Sequence, residues 1–182
     1  LVKPCIAKSW ELADGGKTYI FHLRNDVFFQ DHELFKNGKG RRVNAKDFEY
    51  SFFRLFDPNV SRALSLVDII DRSERSNYKG FVAENDSTFK IFIKQPFKPF
   101  INVLGMKFFS VVPYEIVDAL GSNFKKSPVG TGPFIFKMWE DGVKIVLLKN
   151  NNYFEFENGN RLPYLDAINI SFIKDKQSTL LQ

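Results

Sequence analysis

The sequence predicts an α+β fold built from antiparallel hairpins and short helices, and three observations carry that prediction. Alternating apolar runs come in pairs joined by Gly- or Asn-containing turns. The helical patterns between them are short and carry their own start and stop residues. No internal repeat or low-complexity tract interrupts this order.

The elements follow in sequence. Ile6, Lys8, Trp10 and Leu12 share one parity, Asp14-Gly15-Gly16 supplies turn chemistry, and Thr18 to Leu23 resumes the alternation, which predicts a first hairpin. Val27-Phe28-Phe29 is a third, shorter apolar run, and residues 31–42 form a polar, glycine-bearing surface loop. Asn44 is placed to cap a helix over 45–56, with Asp47 three residues on as a near capping box and Phe48, Ser51, Phe52 and Leu55 at helical spacing. Pro58 cannot continue that ladder. A second, less regular helix is expected over 61–70, then a polar break at 73–77.

Residues 80–84 and 88–93 flank Asn85-Asp86-Ser87, with Phe89, Ile91 and Ile93 on one face of a second hairpin. Short helices are expected at 97–104 and 113–120, the latter with Pro at its first turn and Gly121 past its end. The polar stretch 122–130 is the candidate domain boundary. A third antiparallel pair, 133–139 and 144–149, turns at Glu140-Asp141-Gly142. A polar loop around Tyr153, Phe154 and Phe156 leads to a strand at 167–173, and Asp175 caps the first turn of a helix over 176–182.

Composition narrows the function. A chain of 182 residues can bury a substantial core as one large domain or two small ones. Its 21 Phe point to deep burial, an aromatic-lined cleft or a packing surface. The formal charge of +5 is scattered, and its one tight cluster, Lys36, Lys39, Arg41 and Arg42, sits among glycines as a solvated turn, which argues against nucleic acid as partner. The single Cys5 permits no intrachain disulfide and is expected as a small buried hydrophobe. No apolar run approaches the ~18 residues of a membrane span, and no signal peptide is visible.

Catalytic and metal chemistry lack their constellations. His22 lies within a strand pattern, as a structural histidine. His32, in Gln30-Asp31-His32-Glu33, has no second His or Cys at ligand spacing. Ser61 and Ser65 belong to no nucleophile elbow, and Cys5 has no partner His. Asp68 and Asp71 fit one solvated helical face. Gly130-Thr131-Gly132-Pro133 lacks the Lys-Ser/Thr and the helix of a phosphate loop, and its glycines are expected to let the backbone turn sharply between two lobes. No catalytic, metal or cofactor residue is therefore assigned, and no ligand-contact residue either.

One ordered set of segments goes further. It runs Ala7-Lys8-Ser9-Trp10-Glu11, then Tyr19-Ile20-Phe21-His22-Leu23-Arg24, then Asn44-Ala45-Lys46-Asp47-Phe48 with Ser51 and Arg54, and Asp57-Pro58. It continues through Val112-Pro113, Pro128-Val129-Gly130-Thr131-Gly132-Pro133-Phe134, the strand Ile145 to Asn150, and Pro163-Tyr164-Leu165-Asp166. In this order the segments resemble the family 5 solute-binding proteins of ABC-type oligopeptide and dipeptide importers, across nearly the whole chain.

That resemblance implies part of a periplasmic-binding-protein-like fold of the three-region, class II kind, in a chain incomplete at both ends. Residues 1–123 would be most of the extra small region, and 127–182 part of the first ligand-binding lobe. It implies a non-enzymatic, periplasmic or cell-envelope protein that captures peptides and delivers them to an ABC permease, with a lipid anchor left open on a segment outside this sequence. Haem, a nickel chelate or a sugar as cargo, and a free-standing interaction domain, are the alternatives. Residues 59–65 are expected to pack, with an approach to the cleft as their competing role. The loop 31–43 is longer than the short Asp-Gly turn common in the family, and its role is open.

Overall fold

The computed structural model describes residues 2–59 and 67–172. By contacts the chain divides into two units, Leu1–Val27 with Arg42–Tyr114, and Phe28–Arg41 with Glu115–Gln182. Residues 28–41 leave the first run because their backbone bonds elsewhere, the Gln30 amide donating to the Gly130 carbonyl at 2.9 Å.

In the first unit four antiparallel strands, β1 (Ala7–Ala13), β2 (Thr18–Leu23), β3 (Phe81–Asn85) and β4 (Thr88–Phe92), lie in the order β1-β2-β4-β3. The first turn works because Asp14, Gly15 and Gly16 all adopt positive φ, and the Asp14 carboxylate accepts from the Thr18 hydroxyl. The second is closed by Asn85, whose side-chain oxygen accepts the Ser87 amide at 2.9 Å. Register sets Tyr19 opposite Ile91 and Phe21 opposite Phe89, with Phe81 on the far side of Ile91. All five are buried, so one face of this sheet is the core face.

Helix α1 (Ala45–Phe53) covers that core. Its start is the expected capping box: Asn44 Oδ1 accepts the Lys46 amide and Asp47 Oδ2 accepts the Asn44 amide, each at 2.9 Å. Phe52 stands edge-on to Phe81, Phe89 and Phe109 at centroid distances of 5.2–5.4 Å, the favoured aromatic geometry. The predicted end at residue 56 holds, with a 3-10 turn over Arg54–Phe56 as the last turn. Much of the phenylalanine excess is thus one aromatic core.

The expected helix over 61–70, with Ser61 and Ser65, lies largely outside the described residues. Beyond it Val67 and Ile70 are buried, and Ile70 bridges Ile93. Asp71 is not on a solvated face as expected; it is buried, because Arg75 Nη2 and the Ser73 amide both donate to it. Arg75 also donates to Thr18 Oγ1 and to the Ile93 carbonyl, tying the polar break to the sheet. Helix α2 (Phe100–Val103) is a single turn, shorter than expected, since Pro99 gives it no side-chain cap.

Helix α3 (Tyr114–Leu120) ends before Gly121, whose φ of +52° suits the position after a helix. In the second unit, Ile116, Val117, Phe29, Phe35 and Val129 are buried. The loop 31–42 is therefore not purely surface: Phe35 faces inward and stacks on Phe29. The expected pair forms as β5 (Phe134–Glu140) and β6 (Lys144–Lys149), joined by β9 (Ala167–Ser171) in the order β5-β6-β9. A small ribbon, β7 (Phe156–Glu157) with β8 (Asn160–Arg161), occupies the polar loop. No residue of β5, β6 or β9 is buried, so this sheet has uncovered apolar faces. The expected helix over 176–182 lies outside the described residues. Among the described residues no helix is long and apolar enough to cross a membrane.

Candidate functional site

The segment that singled itself out in the sequence, Pro128 to Phe134, is held from its inner side by two amide side chains. Gln30 is buried, and its Nε2 donates to the carbonyls of Gly132 at 3.1 Å and Phe134 at 2.8 Å. Asn150, also buried, donates from Nδ2 to the same Gly132 oxygen at 2.9 Å, while its backbone amide donates to the Pro133 carbonyl. Such convergence satisfies the inward carbonyls of a turn that cannot form ladder bonds.

The glycines themselves are a correction to expectation. Neither Gly130 nor Gly132 adopts a positive φ, so neither is required by a sharp turn. A Cβ built on either meets nothing within 4 Å. The turn is thus pinned through its carbonyls, while the α-carbons of Gly130 and Gly132 face open space. That arrangement admits close approach of another main chain. It lacks the arrangement of a phosphate loop: Pro133 has no amide, and a strand follows instead of a helix.

The loop 31–42 braces the same unit. Arg41 Nε donates to Glu115 Oε1 at 2.5 Å and Nη2 to Oε2 at 2.7 Å, and its guanidinium stands over the Phe29 ring. Asp31 accepts from Lys39 Nζ and the Gly40 amide, and the Lys39 hydrogen bond is the main reason its carboxyl is held below the usual range. Arg41 and Lys39 are therefore part of a braced loop rather than a free basic cluster.

The two histidines have local roles. His22 pairs across the hairpin with Glu11 at 3.2 Å. His32 Nδ1 accepts the Leu34 amide, leaving Nε2 to meet Ser127 Oγ at 3.2 Å. Among the described residues no group of three His, Cys, Asp or Glu could hold a metal ion. Cys5 is exposed, contrary to expectation, because it sits in the bend before β1 rather than under it. Residues 60–65 lie outside the described residues, so neither the packing role nor the approach to the cleft named for 59–65 is tested. Sequence reading missed Gln30 and Asn150. Their only local signal is a polar amide beside an apolar run, which many surface residues share.

A separate depression of about 500 Å³ lies in the first unit, where Lys8, Arg24, Arg42, Asp26 and Asp86 surround the start of α1. Arg24 and Asp26 are paired there, at 2.7 and 2.8 Å.

Comparison with known proteins agrees with the motif order. The chain is 30% identical to heme-binding protein A of Haemophilus influenzae over 191 residues, covering 96% of this chain and 32% of that protein. It is 29% identical to di/tripeptide-binding protein 2 of Pseudomonas aeruginosa over 171 residues, covering 85% of this chain and 30% of that one. The chain thus spans about a third of the length of the curated relatives it matches. Among solved structures, the ABC transporter-associated periplasmic binding protein DppA from Helicobacter pylori, in complex with peptide STSA, superposes with a TM-score of 0.78. That match has 30% identity and covers 98% of this chain and 35% of the other. Residues 2–182 match the family described as bacterial extracellular solute-binding proteins, family 5 Middle, and the chain belongs to that family.

Proposed function

We propose that this chain is part of an extracytoplasmic solute-binding protein that captures short peptides and delivers them, without catalysis, to the permease of an ABC importer. The observation that carries the reading is the likeness, over 98% of the chain, to a binding protein solved with a peptide. Geometry supports it: the Gly130–Gly132 backbone is pinned behind and open in front, a surface suited to main-chain contacts that ignore side-chain identity. Two lobes closing over such a ligand would be driven by its differential affinity for the closed state.

In this reading residues 1–123 are most of the extra small region, and 127–182 begin the first ligand-binding lobe. The uncovered β5-β6-β9 sheet supports that assignment, because three exposed strands need further chain to bury their apolar faces. In this reading the protein works in the periplasm or cell envelope. Haem is a second reading of the cargo, favoured by the 30% identity to heme-binding protein A.

The experiment is native mass spectrometry on the full polypeptide containing this sequence, purified from cells without refolding. A heterogeneous set of co-purified short peptides is expected. A single haem mass would replace the cargo and keep the transport role. A protein that arrives empty and binds neither a peptide library nor haem would overturn the proposal.

A further inference from the structure

Residues 87–114 contain Lys90, Lys94, Lys98 and Lys107 and no Asp or Glu. After β4 this run folds into linked turns. The Phe97 carbonyl accepts from the Phe100 amide, Phe100 from Leu104, Val103 from Met106, and Met106 from Phe109, all at 3.0–3.1 Å. Phe100 and Phe109 face the core at 0% and 5% exposure, whereas Phe97, Met106 and Phe108 are 40%, 47% and 41% exposed. Large apolar tips on turns, left in water, make little sense as packing for this unit.

The charges carried by this run are of one sign. Lys94, Lys98 and Lys107 are exposed and, among the described residues, form no ion pair. Lys107 stands over the Phe108 ring. Lys90 is excluded from the set, since Glu84 takes it. Pro96 packs near Gly16, next to the exposed Lys17. The carboxylate of that turn, Asp14, is already engaged by Thr18 and Arg75.

We propose that the 94–108 turn cluster is a peripheral contact for an anionic lipid bilayer. Phe97, Met106 and Phe108 enter the headgroup boundary, and Lys94, Lys98 and Lys107 meet lipid phosphates. Lysine is a hydrated point charge on a flexible apolar stem, suited to a diffuse anionic surface; recognition of a single carboxylate on a protein partner favours arginine's fork. Apolar tips and lysines together supply the two signals, insertion and charge, that reversible membrane contact needs.

The test uses the full polypeptide containing this sequence and flotation with vesicles of phosphatidylcholine, alone or with about one-third phosphatidylglycerol. Association is expected only with the phosphatidylglycerol vesicles, and it should weaken as salt rises. Two variants, K94Q/K98Q/K107Q and F97S/F108S, should each weaken it about tenfold or more while circular dichroism and cargo capture stay unchanged. Equal association with both vesicle types, or variants that bind as the parent does, would overturn the proposal. So would loss in the lysine variant alone, which would mean adhesion without insertion. Retention only by vesicles carrying the permease would assign the patch to a protein partner instead.

Discussion

Arg41 and Glu115, 74 positions apart in the chain, form a two-pronged ion pair that fastens the loop 28–41 to the first turn of α3. Burial alone would raise the Glu115 pKa; the hydrogen bonds and charge of Arg41, with a backbone hydrogen bond, outweigh it and hold the carboxyl below its ordinary value. Asp31, on the same loop, is likewise held low, chiefly by Lys39. A carboxylate whose folded pKa is depressed stabilises the fold above its unfolded pKa and loses that contribution as pH falls through the folded value. Loop 28–41 should therefore loosen only in acid below the ordinary carboxylate range, as pH falls through the depressed folded values of Asp31 and Glu115. Amide exchange at Gln30 and Gly40 against pH would report it. Arg41→Met should cost about 1 kcal/mol at neutral pH and flatten the acid limb of that profile. An unaltered acid limb in the variant would remove Glu115 from this account.

Two glycines make a sharper pair of substitutions. A Cβ on Gly40 would meet the Phe29 carbonyl oxygen at 1.9 Å, and backbone cannot yield as a side-chain tip would. Gly40→Ala should cost at least about 2 kcal/mol in urea unfolding. Gly132→Ala meets nothing within 4 Å and should lie within about 0.5 kcal/mol of the parent. If the open side of that turn approaches cargo or the opposing lobe, the same substitution weakens peptide capture by the full polypeptide without touching its stability. Unchanged capture would make the open side incidental.

The sequence was most legible where structure depends on near neighbours. Asp14-Gly15-Gly16 and Asn85-Asp86-Ser87 turn chains back on themselves through bonds within four residues, so alternation plus turn chemistry located both hairpins. Asn44 and Asp47 announced α1 for the same reason. What escaped depends on distant partners. Gln30 is buried only because carbonyls 102 and 104 positions away need donors, and no local pattern encodes that. Phe35, read as part of a polar loop, is drawn inward by stacking on Phe29. The motif 128–134 carried the family likeness through its place in the order of segments, whereas the sharp glycine turn expected within it is absent, since neither Gly130 nor Gly132 has a positive φ.

The capping box gives a stability prediction confined to the first unit. Asn44→Ala removes the acceptor for the Lys46 amide and leaves the Asp47 arm in place. Loss of about 1 kcal/mol is expected in thermal or urea unfolding, with Asn44→Asp nearly restoring the parent. Asp47→Ala should cost more, since Asp47 is 0% exposed and its removal strands the Asn44 amide. Equal losses for the two alanine variants would mean that the buried side of the box carries no extra weight.

Trp139 tests the longer architecture. The bulge between Phe136 and Met138 brings Phe136 and Trp139 to one face of the β5-β6-β9 sheet. Register adds Ile145 and Ile170 beside Trp139, and Leu147 and Ile168 beside Phe136. That face is wholly apolar at these positions, yet Trp139 is 45% exposed. A lobe completed by further chain would bury it. In the full polypeptide, the emission lost in Trp139→Phe relative to the parent should be blue-shifted and resist iodide quenching. Trp139→Ala should then cost about 3–5 kcal/mol, as for a buried large aromatic. In the 182-residue chain alone the same indole should be quenched freely and its loss cost little. Free quenching in both lengths would show that this face remains in water and would remove the support it gives to the lobe assignment.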